Sequence, residues 1–190
     1  MESFKQFEHL LAFHCAPTLA GIKSGNLISI NKNKINNFRQ IQQKYRKCLS
    51  CNNVFMFTVS ESQNYRLLLI YHKANLAKIL SDECNQAFLR YYGYKDFTSV
   101  LSCLRYLKIR MHLQKGFPHE IGLFLGYPLL DVKGFIKNNG QNFKFCGQWK
   151  VYSDIESAEK LFSKYTKCCN RFCSYLAEGK SLENIIETAV

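Results

Sequence analysis

Two short runs rich in β-branched and aromatic residues, Val54 to Val59 and Tyr65 to Tyr71, stand five polar residues apart and constrain the chain more than any other feature. The intervening Ser-Glu-Ser-Gln-Asn is turn chemistry, so the pair predicts an antiparallel hairpin. Around it the apolar period changes from two to about 3.6 residues. Phe4, Phe7, Leu10, Leu11 and His14 fall at helical spacing, as do Ile35, Phe38, Ile41 and Tyr45 in a basic segment ending at Cys48. Helical patterns continue at Ala74 to Leu80, Glu83 to Tyr92 and Phe97 to Leu113, and a last amphipathic run covers Ile155 to Leu176. Leu27 to Ile30 and Phe143 to Tyr152 complete the strand candidates. The expectation is an α+β fold, a small and mostly antiparallel sheet packed by several helices, in a single domain over residues 1–190.

Several classes drop out. Aromatic residues make up 14% of the chain, enough to fill a core, which excludes a disordered chain. The best apolar run, Leu67 to Tyr71, is strand-sized and far below the ~18–20 residues of a membrane span. The opening Met-Glu-Ser-Phe-Lys-Gln-Phe-Glu carries acid where a secretory leader carries base. Nine cysteines cannot all pair within one chain, and a chain this long does not need staples. A cytoplasmic protein is therefore expected, its cysteines serving as free thiols, metal ligands or core fillers.

The net charge of +12 is unevenly spread. Between Glu8 and Asp82 there are ten bases and a single acid, Glu61, a local excess of +9. Such a field attracts phosphates or acidic partners. The plainer reading is compositional, since 19 of the 26 bases are Lys and Asn occurs 15 times, as AT-rich codon usage gives.

Chemistry is suggested in few places. Pro17 fits the first turn of a helix, which sets Cys15 just before an N-terminus whose free N–H groups favour a thiolate. His119 follows Pro118 and precedes Glu120, so a Cys15 nucleophile, a His119 base and a Glu120 orienter form a coherent set. A small buried cysteine at a tight turn is the plainer alternative. Gly21 to Asn26 lacks the phosphate-loop spacing, because Lys23 precedes Gly25, yet Lys23 and Asn26 suit a looser anion site. Cys48 and Cys51, with Cys168, Cys169 and Cys173, offer zinc ligands only by convergence, and Cys169 lies on an apolar stripe, so no metal site is assigned. Glu120 to Ile136 has the small residues of a helix-turn-helix, but Leu129, Leu130 and Asp131 are poor groups for reading DNA. Trp149, the only tryptophan, sits among alternating aromatics as a core cap or a pocket wall.

His14-Cys-Ala-Pro-Thr-Leu-Ala-Gly-Ile-Lys-Ser-Gly-Asn26, Tyr71-His-Lys73, Phe117-Pro-His-Glu-Ile-Gly-Leu-Phe-Leu-Gly-Tyr-Pro128, Asp131-Val132 with Gly134-Phe-Ile136, and Cys146-Gly-Gln-Trp-Lys-Val-Tyr152 span nearly the whole chain. Together they resemble an uncharacterised family of anaerobic low-GC bacteria, domain of unknown function 3793. The resemblance implies a bacterial cytosolic protein and brings no activity, cofactor or fold. The Cys48/Cys51 pair and the Cys168/Cys169/Cys173 cluster lie outside it.

The leading expectation is a domain binding a small anionic or cofactor-like ligand, with thiol chemistry at Cys15 as an option. His14, Lys23, Asn26, His72, Trp149 and Lys150 are its candidate ligand-binding residues. Two other classes stand beside it. One is nucleic-acid binding through the basic 23–78 region or the 120–136 hairpin. The other is metal or haem handling by His14, Cys15, His72 and His119. Cofactor, substrate and oligomeric state are left open.

Overall fold

A computed structural model describes residues 2–113 and 117–189. The expected hairpin forms as β2 (Val54–Glu61) and β3 (Tyr65–His72), and β1 (Gly25–Asn31) joins the other edge of β3. The sheet order is β1-β3-β2 and both pairings are antiparallel. In register, Leu27 faces Leu69, and Phe57 faces Leu69 from the other side. A bulge at Val59 shifts the β2–β3 register between Thr58 and Ser60, which bends the strand end and increases its twist.

Alternation along the strands divides the core in two. Ile28, Ile30, Leu68, Ile70 and Val54 face one side. That side is covered by α1 (Glu2–Leu10), α2 (Ala16–Leu19), α3 (Phe38–Cys51), α9 (Ile155–Ala177) and α10 (Leu182–Ala189). Val59, Leu69 and Tyr71 face the other side. There they meet α4 (Lys73–Ser81), α5 (Glu83–Tyr91), α6 (Val100–Leu113), α7 (Ile121–Phe124) and α8 (Leu129–Lys137). The fold is α+β, as expected, with helices on both faces of the sheet.

Local chemistry sets the element ends. His72 and Asp82 begin α4 and α5 by accepting from the N–H groups of Asn75 and Asn85, and Asp154 does the same for α9 through Ser157. The helix expected from Phe97 begins three residues later, because Asp96 turns back to accept from Thr98 N–H and hydroxyl. The strand expected across Phe143 to Tyr152 is instead a hairpin of two-residue strands, β4 (Phe145–Cys146) and β5 (Lys150–Val151). The chain reverses there, with Gly147 N–H donating to Trp149 C=O at 3.1 Å. No helix among the described residues is long and apolar enough to cross a membrane.

Candidate ligand-binding site

The segment from Phe117 to Tyr127 runs through one helical turn, α7, and leads past Pro128 into α8. Gly126 carries the chain around at φ +82°, a conformation that disfavours any side chain, and a Cβ there would also meet Ser24 Oγ. The β4–β5 hairpin folds over α8. Gly134 permits that approach, since a Cβ on it would lie 2.5 Å from Tyr152 Cγ.

One carboxylate fixes the hairpin. Asp131 is buried, its Oδ1 accepting from Tyr152 N–H, Ser153 N–H and the Ser153 hydroxyl, each at 2.8 Å, while Oδ2 accepts from Trp149 Nε1 at 2.7 Å. Trp149 is thereby stacked on Tyr127 at 4.9 Å between centroids and edge-on to Phe162 at 4.4 Å.

Between α7, α8 and this hairpin lies a cavity of about 340 Å³. Its walls include Ile121, Leu125, Val132 and Phe135, with Tyr127 and Trp149 as the flat aromatic pair. Polar groups reach it from His119, Gln148 and Lys150. The His119 ring lies against Phe135 at 5.0 Å. Lys150 Nζ donates to Gly140 C=O at 2.7 Å and sits 4.9 Å from the centre of the Phe143 ring. The one acid in the lining among the described residues, Asp131, already accepts four hydrogen bonds, close to a carboxylate's capacity.

Other candidate residues lie elsewhere. Cys15 is not at a free helix N-terminus. α1 runs into α2 through a π-helical stretch, Leu11–Cys15, whose wider turn accommodates the missing N–H of Pro17. The thiol is fully buried among apolar side chains, and burial pushes its pKa well up, against a smaller downward pull from Lys23. The expected low-pKa thiolate is thus corrected to a neutral, packed thiol. Glu120 points to α6, where Arg110 Nε donates to it at 2.8 Å. Cys15, His119 and Glu120 share neither a hydrogen bond nor a cavity among the described residues.

Lys23 is buried behind the pocket wall, its Nζ 5.6 Å from the centre of the Tyr127 ring and 5.5 Å from that of Tyr165. Burial lowers its pKa to about 8, partly offset by Cys15 and Cys169. Asn26, in β1, accepts from the Thr18 hydroxyl of α2 at 2.7 Å. His72 caps α4, and burial lowers its pKa. His14 is exposed beside Phe13, in a separate groove near α1. The four residues considered for metal or haem therefore stand apart. Among the described residues, no group of three or more His, Cys, Asp or Glu is placed to hold a metal ion.

The 120–136 segment is not two full helices, because α7 is a single turn and α8 turns Asp131 and Val132 inward. Composition alone gave Asp131, Tyr127, Phe135 and Gln148 no role in the site. The available signal was a lone acid at Asp131 in an apolar run, a type of residue that is buried only with partners.

The architecture is that of an α+β protein with an aromatic-lined cavity built on a helix–hairpin unit. The chain belongs to the family described as Protein of unknown function (DUF3793), whose model matches residues 11–186. No curated protein and no solved structure matches it.

Proposed function

We propose that this protein binds a small, planar, anionic ligand in the cavity between α7, α8 and the β4–β5 hairpin. One observation carries the reading. The cavity is aromatic, its only carboxylate among the described residues is consumed by four donors, and His119 and Lys150 are the basic side chains among its described lining. Flat walls at Tyr127 and Trp149 favour a planar body, and Lys150 and Gln148 supply hydrogen-bond donors to an anionic edge. The packing of Cys15 away from the cavity supports binding over thiol chemistry there.

Trp149 emission reports occupancy directly, because it is the chain's only tryptophan. Titration with 2-naphthoate, using neutral 2-naphthamide as the uncharged comparison, is expected to give saturable quenching with the acid bound more tightly. Lys150→Met is expected to weaken the acid about tenfold, the value of one charge-assisted hydrogen bond, and to leave the amide unchanged. Equal binding of acid and amide, or no change at Trp149 with either, contradicts the proposal.

A further inference from the structure

A second concave surface lies on the opposite side of the sheet edge, where α3 runs beside β2. Its helix contains no acid over Phe38–Cys51. Arg39, Gln42, Gln43 and Arg46 project along one face at helical spacing and are all exposed. They flank a hollow of about 400 Å³ floored by Met56 over buried Leu49 and Val54, while the Phe55 ring turns to the other face of the sheet and stacks on Tyr71. A second hollow of about 370 Å³ continues from the other side of Arg39, past Asn36 and Gln40, to Lys32 and Arg66. Arg39 is common to both, so the two form one track.

The charge along this track is not cancelled where it matters. Lys32 and Arg66 share Glu61, at 2.9 Å each. Lys44, on the neighbouring face of α3, lies between Glu8 and Glu183. Among the described residues, neither Arg39 nor Arg46 has an acidic partner, and neither hollow is lined by an acid. Two guanidinium groups seven residues apart stand about 10 Å apart along the helix axis, with two side-chain amides between them.

We infer that this track binds single-stranded nucleic acid, with Arg39 and Arg46 on phosphates and Gln42 and Gln43 on sugar or base edges. Guanidinium forks match phosphate oxygens in pairs, and the side-chain amides between them both donate and accept, as the unpaired edges of a single strand require. Shape separates this from duplex reading. A duplex reader inserts a projecting helix or ribbon into a groove ~12 Å wide, whereas this surface is hollow and only a few nucleotides in size. The site is independent of the aromatic cavity, and loss of either leaves the other intact.

The test is fluorescence anisotropy of the full-length chain with a labelled oligothymidylate of about 20 nucleotides, beside the matching duplex and a polyglutamate of similar charge. Engagement of two to three phosphates predicts an affinity loss of about 7- to 18-fold between 50 and 200 mM salt. The double variant Arg39→Ala/Arg46→Ala is expected to lose about tenfold or more at 50 mM and to flatten the salt dependence. Lys164→Ala/Lys167→Ala/Arg171→Ala removes three exposed cations of α9 far along the sequence and is expected to bind as the unaltered protein does. All three forms are compared at matched circular dichroism. No binding at 50 mM, tighter binding of duplex or equal binding of polyglutamate overturns the inference, and so does an equal loss in the α9 variant.

Discussion

Lys23 is a buried cation, a placement its residue type rarely takes. Its ammonium is enclosed by Tyr127 and Tyr165, and no acid forms an ion pair with it among the described residues. Ring faces recover part of the hydration it gives up, but not all. The folded-state pKa of about 8 lies below the ordinary 10.5, so the unfolded chain holds more protons between those values. Stability contributed through this group therefore rises with pH across that window, and the full penalty is present below pH 8. Chemical denaturation of the unaltered protein and Lys23→Met from pH 7 to pH 10 is the check. The difference between them is expected to change by roughly 2–3 kcal/mol, with Lys23→Met the more stable at pH 7. A pH-independent difference contradicts this account of Lys23. Comparison with the variant is needed because buried thiols titrate with the opposite sign. Cys15, raised by burial, stays protonated in the fold while the unfolded thiol ionises.

At the scale of elements, the β4–β5 hairpin is too short to hold itself, since a two-stranded ribbon is marginal even when longer. Asp131 supplies what the ladder lacks by accepting from three backbone or side-chain groups of the hairpin's exit and from Trp149. Asp131→Ala is expected to destabilise the protein by about 2–4 kcal/mol, as buried donors lose their acceptor. It should also shift Trp149 emission to the red as the hairpin loosens. Asp131→Asn, which keeps an acceptor oxygen but loses the charge, is expected to fall between the two. An unaffected melting curve and emission maximum for Asp131→Ala would show that the hairpin is held by apolar packing alone.

These two cases show what periodicity reveals. The β2–β3 hairpin, the α3 stripe and the long α9 were legible because each buries a regular face, and burial of a face leaves its period in the sequence. Asp131 and the break at Gly147-Gln148 leave no period, so the span from Phe143 to Tyr152 read as one strand. Cys15 misled for a related reason. Pro17 marks the first turn of a helix in isolation, but here α1 continues through a π-helical turn, and only the three-dimensional path distinguishes the two. His119, Trp149 and Lys150 were found by residue type. That they share a cavity, and that Glu120 turns away to Arg110, depends on contacts distant in sequence.

For the whole molecule, the sheet separates two kinds of surface. The aromatic cavity is built by the segments after α6, whereas the basic excess of residues 9–81 is displayed around α3. Of the bases in that first half only Lys23 comes near the cavity, buried behind Tyr127, whereas Lys150 and His119 line it. Ligand binding in the aromatic cavity is the property on which the proposed function stands. A proton–nitrogen correlation spectrum of labelled protein titrated with 2-naphthoate tests it most directly, because the lone indole N–H is held by Asp131 at the cavity wall. The account predicts saturable shifts of the Trp149 indole resonance together with Gln148, Lys150, Gly122 and Val132, and no comparable shifts around α3. A spectrum unchanged at saturating probe, or one whose shifts gather away from the β4–β5 hairpin, would contradict it.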